Sequence, residues 1–226
     1  MAWDGGPDWW ERYYARSLKR RGNLGREDCY CEPSEVLFFL EAHALLPEDA
    51  AHVLVAGSGT SGLTLSLAAM DECTLEVTAV DTSPTAIRWM REHGQRVNWQ
   101  VADVSKLDDD WHGRFPLIID KGVIGAMDAA AAARNCEGLA PEASEARKVL
   151  KEYGRVLRPG GWVLVVMPEK VAWLDNEAAS GAIWSDFRGG AVSKGYIYAF
   201  RSPPSLPADD SLSTPAVHQC DLSLLD

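Results

Sequence analysis

A doubly wound α/β fold, with a mostly parallel sheet of seven strands ending in an antiparallel hairpin, is what this 226-residue sequence predicts. Three observations carry that expectation. Short β-branched apolar runs alternate with stretches of helical periodicity, a glycine-rich turn follows the first of those runs, and the final runs alternate residue by residue as half-buried strands do.

Taken in order, residues 1–32 mix aromatics with charges (Trp9, Trp10, Arg12, Tyr13, then Lys19 to Arg21) and are expected to dock on the body of the domain. Pro33-Ser34 opens a helix with Ser34 as N-cap; Leu37, Leu40 and Ala44 share a face, and Pro47 stops it. His52–Ala56 reads as a buried strand, followed by a helix carrying Leu63, Leu67 and Met70. Leu75–Val80 is the second strand, and Ser83-Pro84 caps the next helix, with Ile87 and Met90 inward. Val97–Ala102 and Phe115–Asp120 are the third and fourth strands, with an acidic turn at Asp108–Asp110 between them. An alanine-rich stretch then reads as mobile. Pro141–Leu157 is a helix with Ala143, Ala146, Leu150, Tyr153 and Leu157 at steps of three and four. Pro159-Gly160-Gly161 turns into a fifth strand, Trp162–Met167. Phe187–Phe200 forms two strands around Gly189-Gly190 and Gly195, and the Pro- and Ser-rich residues 202–226 are expected to be a disordered tail. The body of the domain is thus placed at 33–201.

Composition narrows the function. With 46% hydrophobic and 24% charged residues the chain is of the globular class, and no run approaches the roughly 18 apolar residues of a membrane span. A net charge of −11 opposes binding to a phosphate backbone or an anionic membrane, and leaves basic partners open. Cysteines 29, 31, 73, 136 and 220 lack paired metal-ligand spacing, so reduced thiols and no metal are expected. The first residues have neither a secretory nor a transit pattern, which predicts a cytoplasmic location.

Gly57-Ser58-Gly59-Thr60-Ser61-Gly62 fits GxGxxG between a strand and a helix, where the absence of Cβ lets a ligand approach backbone amides. Asp81, 19 residues past Gly62 at the end of the second strand, can accept the hydroxyls of a ribose. A plain βα turn with a surface acid is the bland reading. The two features together point to an adenosine-containing ligand, with NAD and S-adenosylmethionine both open. Asp103-Val104, past the third strand, is placed to hold and cover an adenine, or is a solvated turn. No tyrosine has lysine four residues on, against short-chain nicotinamide enzymes.

Leu157-Arg158-Pro159-Gly160-Gly161 resembles the L-x-P-G-G turn of class I methyltransferases, which have a Rossmann-like fold. Val53 to Ser61, Val80-Asp81-Thr82-Ser83, Val101 to Leu107 and Asp120-Lys121-Gly122, with Trp9-Trp10-Glu11-Arg12-Tyr13 ahead of them, are similar in order to the group of elongation factor 1-alpha and citrate synthase lysine methyltransferases. That resemblance implies S-adenosyl-L-methionine as cofactor, held by Gly57, Ser58, Gly59, Asp81, Thr82, Asp103, Val104 and Asp120. It also implies that Arg12 pairs the methionine carboxylate while Tyr13 covers that end; packing of an N-terminal helix is the alternative. Asp120 and Lys121 become the candidate catalytic residues, with Asp120 either orienting the nucleophile or capping the loop at Gly122. Two departures concern the substrate: Thr60 replaces an Asn of the group, and Val123-Ile124-Gly125-Ala126 replaces T-L-D-A, with Asp128 out of register. Tyr30 is matched to the aromatic of an E-W-Y-like segment. Trp9, Trp10, Tyr30, Trp173, Trp184 and Tyr196 are candidate walls of an acceptor pocket. The expected function is methyl transfer to a lysine of a protein, with a small-molecule acceptor or a non-catalytic cofactor-binding module as alternatives.

Overall fold

A computed structural model describes residues 7–47, 51–70, 75–133, 145–180 and 183–204. Five strands, β1 His52–Ala56, β2 Glu76–Asp81, β3 Val97–Val101, β4 Phe115–Asp120 and β5 Leu157–Met167, run parallel; β6 Asp186–Val192 and β7 Gly195–Arg201 form the hairpin. Their order is β3-β2-β1-β4-β5-β7-β6, and β7 is antiparallel to both its neighbours. The predicted sheet, its seven strands and its terminal hairpin are all present.

Alternation along each strand fills two cores. Leu54, Ile118, Val163, Val165, Tyr198 and Phe200 face one side, against helices α5 Val123–Ala133, α6 Glu145–Val156 and α7 Ala172–Ser180. Val53, Val55, Val77, Ile119, Leu164 and Ile197 face the other, against α2 Pro33–Ala42, α3 Leu63–Ala68 and α4 Pro84–His93. Burial on both faces is why the central strands are continuous apolar runs rather than alternating ones.

Several boundaries differ from the sequence expectation. The N-cap of α2 is Glu32, not Ser34, because Pro33 takes the first helical position and Glu35 reaches back to accept the Glu32 N–H at 2.8 Å. Ala44 lies beyond the helix at φ +51, where Leu45 N–H closes on the Leu40 carbonyl, so the helix ends before Pro47. Residues 129–133, read as mobile, continue helix α5, as expected of the best helix former. Residues 141–144, the proposed start of the next helix, lie outside the described residues. Leu157 already pairs with Phe115 and so begins β5, and the expected Pro-Gly-Gly turn is an irregularity inside that strand, where the register jumps to Leu117–Trp162. Gly189 and Gly190 are paired within β6, and the hairpin turns at Ser193-Lys194. Helix α7 was not predicted; of its residues Leu174 is buried in the core, a weak periodic signal. Cys29 and Cys31 are free thiols, whereas Cys73, Cys136, Cys220 and the tail beyond residue 204 lie outside the described residues. Among the described residues no helix is long and apolar enough to cross a membrane and no group of side chains could hold a metal ion.

Candidate active site

The chain leaves β1 toward β2 on one side and reaches β4 on the other, so a crevice opens beyond the carboxyl ends of β1 and its neighbours, the place where ligands bind in open α/β sheets. Ala56 is in register with both Val80 and Asp120, which brings the ends of β1, β2 and β4 together.

The glycine loop after β1 is shaped by close approach. Gly57 has φ +62, and a Cβ there would collide with the Val123 side chain. Gly59 has φ +47, and its Cβ would lie 2.5 Å from the Tyr14 hydroxyl. Asp81 ties the loop down: Oδ2 accepts the Gly59 N–H at 2.9 Å and Oδ1 the Ser83 N–H at 2.8 Å. Burial raises the Asp81 carboxyl above the usual range, while those two backbone bonds pull it back. A carboxylate has about four acceptor positions, so two remain for a ligand. Ser58 Oγ is buried beneath the loop without a hydrogen-bond partner. These residues fit a ribose-bearing ligand. Thr82 is half-buried beside Asp81, Val104 is buried, and the exposed Asp103 accepts Ser105 N–H and Oγ–H, both at 2.8 Å.

Helix α1 (Pro7–Arg21) lies against α4. Glu11 anchors it, accepting Ser83 Oγ–H at 2.6 Å, Thr85 N–H at 3.0 Å and Thr85 Oγ1–H at 2.6 Å, where an anion also meets the helix dipole. One turn on from Glu11, Tyr14 brings its hydroxyl against Gly59 of the glycine loop. Arg12 is exposed, and Tyr13 donates to Glu27 Oε1 at 2.9 Å while stacking on Trp9. The sequence singles out the neighbouring Arg12 and Tyr13 and not the docking residues Glu11 and Tyr14. Their i, i+3 spacing, continued by Leu18, was the available signal.

Residues 25–31 form a strap across the crevice. Thr60 donates to the Gly25 carbonyl at 2.8 Å, and the Asp28 carboxylate accepts Ser61 Oγ–H and, at 3.2 Å, Gly62 N–H. Asp28, also missed, thus tethers the strap to the glycine loop.

At the end of β4, Asp120 is fully buried and accepts four hydrogen bonds: Gly122 N–H at 2.8 Å, Val123 N–H at 2.7 Å, Ile124 N–H at 3.2 Å and Tyr153 O–H at 2.8 Å. Burial pushes its carboxyl up to about 6 against those bonds. Lys121 is buried as well, its Nζ donating to the Cys29 carbonyl at 2.6 Å and the Cys31 carbonyl at 3.4 Å. Gly125, where the lysine methyltransferase group has an acid, has no room for one: a Cβ would lie 2.9 Å from Pro168 Cδ. Trp173 donates to Asp128 at 3.0 Å, whereas Trp184 is buried in the core below.

Residues 47–194 match the family model described as a methyltransferase domain. The chain is 28% identical over 196 residues to the citrate synthase-lysine N-methyltransferase CSKMT, mitochondrial, of Danio rerio, covering 78% of this chain and 74% of that protein. Solved methyltransferase structures share its fold. The 1,6-didemethyltoxoflavin-N1-methyltransferase of Burkholderia thailandensis, with bound S-adenosylhomocysteine, has a TM-score of 0.55 at 19% identity over 90% of this chain and 92% of its own. A TehB-like SAM-dependent methyltransferase from Corynebacterium glutamicum has a TM-score of 0.54 at 20% identity, over 88% of this chain and 100% of its own. The chain therefore belongs to the methyltransferase-domain family and is an enzyme whose cofactor is S-adenosyl-L-methionine.

Proposed function

We propose that the chain transfers the cofactor's methyl group to a lysine side chain of a protein substrate. The observation that carries this reading is the likeness, over 78% of the chain, to a relative named as a lysine N-methyltransferase. The net charge of −11 supports it by favouring a basic, lysine-bearing partner over nucleic acid or an anionic membrane.

In this reading Gly57, Ser58 and Gly59 present backbone to the nucleoside, Asp81 takes the ribose hydroxyls, and Thr82 flanks it. Asp103 and Val104 receive the adenine, and Arg12 and Tyr13 cover the methionine end from α1. Held by these residues, the cofactor would supply a sulfonium methyl, open to displacement by an amine, and a neutral thioether as leaving group. The chain's own task is to deliver a neutral amine in line and without its water. A free lysine has a pKa of about 10.4, and an aromatic surface that excludes water favours its uncharged form. Tyr30, whose ring lies over Gly122, provides such a surface. Asp120 already accepts four hydrogen bonds, so its role here is to fix residues 122–124 rather than to take the amine's proton.

One observation favours a small-molecule acceptor instead: Pro168 closes the position at Gly125 where the lysine-modifying group carries an acid. Incubating the protein with methyl-labelled S-adenosylmethionine and whole-cell extract separates the two. Label in a protein band, released as methyl-lysine on hydrolysis, is the expected result; label confined to small molecules overturns it. A cytoplasmic location is part of the proposal, although the Danio rerio relative is named as mitochondrial. Imaging a fluorescent fusion against compartment markers decides that point.

A further inference from the structure

We infer that Lys121 is a positioning residue whose ammonium locks Tyr30 into a strained turn over the end of β4, so that the Tyr30 ring, not the amine, faces the methyl acceptor. The use made of the ring rests on the methyltransferase reading above; the clamp itself rests on geometry.

An ammonium has three donors and no acceptor. Among the described residues the partners of the Lys121 ammonium lie on the strap: the Cys29 carbonyl at 2.6 Å, the Cys31 carbonyl at 3.4 Å and Asp28 Oδ1 at 3.8 Å. Those carbonyls flank Tyr30. Tyr30 has φ +68, and Cys31 N–H bonds to the Cys29 carbonyl at 2.9 Å, a three-residue γ-turn of the positive-φ kind. Such a conformation is unfavourable for an aromatic residue and persists only where its surroundings over-determine it. Lys121 supplies that determination by holding the carbonyl on each side. The turn lays the Tyr30 ring against Gly122, where a Cβ would lie 2.8 Å from Cε2, and sets the Tyr30 backbone against Gly195, whose Cβ would lie 3.2 Å from the Tyr30 carbonyl oxygen. At Gly122, with φ +103, the strap's ring leaves no room for a side chain, whereas Gly195 is held first by the Met167 carbonyl, which a Cβ there would strike, and only then by Tyr30.

The test uses the two neighbouring thiols, since Cys29 is exposed and Cys31 fully buried. The full-length protein and Lys121→Met are alkylated with iodoacetamide, and each thiol is followed by peptide mass mapping. Calorimetry with S-adenosylhomocysteine and label transfer into extract are measured on the same samples. Loss of the clamp is expected to speed alkylation of Cys31 about tenfold by local opening, without global unfolding. S-adenosylhomocysteine affinity is expected to change little, and label transfer to fall by at least about tenfold as the ring loses its place. Adding Tyr30→Gly relieves the strain, so the double variant should regain Cys31 protection without regaining transfer. Cys31 equally protected in Lys121→Met, or cofactor-product affinity falling in step with transfer, overturns the inference. If Lys121→Met does not fold, Tyr30→Gly alone decides. A melting temperature kept or raised while transfer falls supports the clamp, and a lowered one with transfer intact overturns it. A wild-type protein that neither binds S-adenosylhomocysteine nor transfers label defeats the methyltransferase reading, while the Cys31 rates still judge the clamp.

Discussion

Two buried aspartates end parallel strands of one sheet, and their hydrogen-bonding surroundings differ. Asp81, at the end of β2, accepts two backbone N–H groups, one on each oxygen, and keeps acceptor capacity on both. Asp120, at the end of β4, accepts three backbone N–H groups and a tyrosine hydroxyl. Both carboxyls are raised by burial. Position in the fold thus does not separate the two acids; the count of hydrogen bonds already accepted does.

The largest test of that contrast is Asp120→Ala, which strands three buried N–H groups and the Tyr153 hydroxyl at once. Denaturant unfolding is expected to show a loss of about 3–5 kcal/mol. Asp81→Ala should by comparison cost modestly in stability but weaken S-adenosylhomocysteine binding about a hundredfold by calorimetry. An affinity unchanged in that variant would remove the ribose role.

The titration of Asp120 sharpens the comparison further. Its folded value of about 6 lies above an unfolded value of about 3.9. The folded state therefore holds the proton more tightly. The resulting stabilisation is full below about pH 4 and is lost as pH rises through about 6, roughly 3 kcal/mol in all. Carbon-13 spectra of labelled aspartate should show one carboxyl titrating near 6. Tyr153→Phe, which removes a bond favouring the charged form, should move it higher. The smallest effect is expected at Glu11→Gln, where losing the charge at the start of α4 costs about 0.5–1 kcal/mol at low salt and less at high salt.

The parts of this arrangement that sequence made legible are those fixed by local backbone. A glycine loop between strand and helix and an acid at the next strand end need only short-range spacing to be recognised, and both lie where expected. Asp120 was ambiguous because its deciding partner, Tyr153, is 33 residues away on α6. The docked face of α1 was not legible because Trp9, Trp10, Tyr13 and Tyr14 crowd two sides of one helix. Only the docking of Glu11 on Ser83 and Thr85, more than 70 residues on, selects between them. The α2 cap went to Ser34 on residue type alone, whereas Glu35 serves both Glu32 and, across 158 residues, Ser193.

That last bond has a consequence for how the domain could be trimmed or fused. The turn between β6 and β7 grips the start of α2 through Ser193 on Glu35 and Lys194 on Glu32, immediately after the strap that crosses the crevice. The opening and closing stretches of the domain are stitched to each other beside the crevice. Shortening either one unpicks the same seam, so a surgically minimal enzyme would have to keep both.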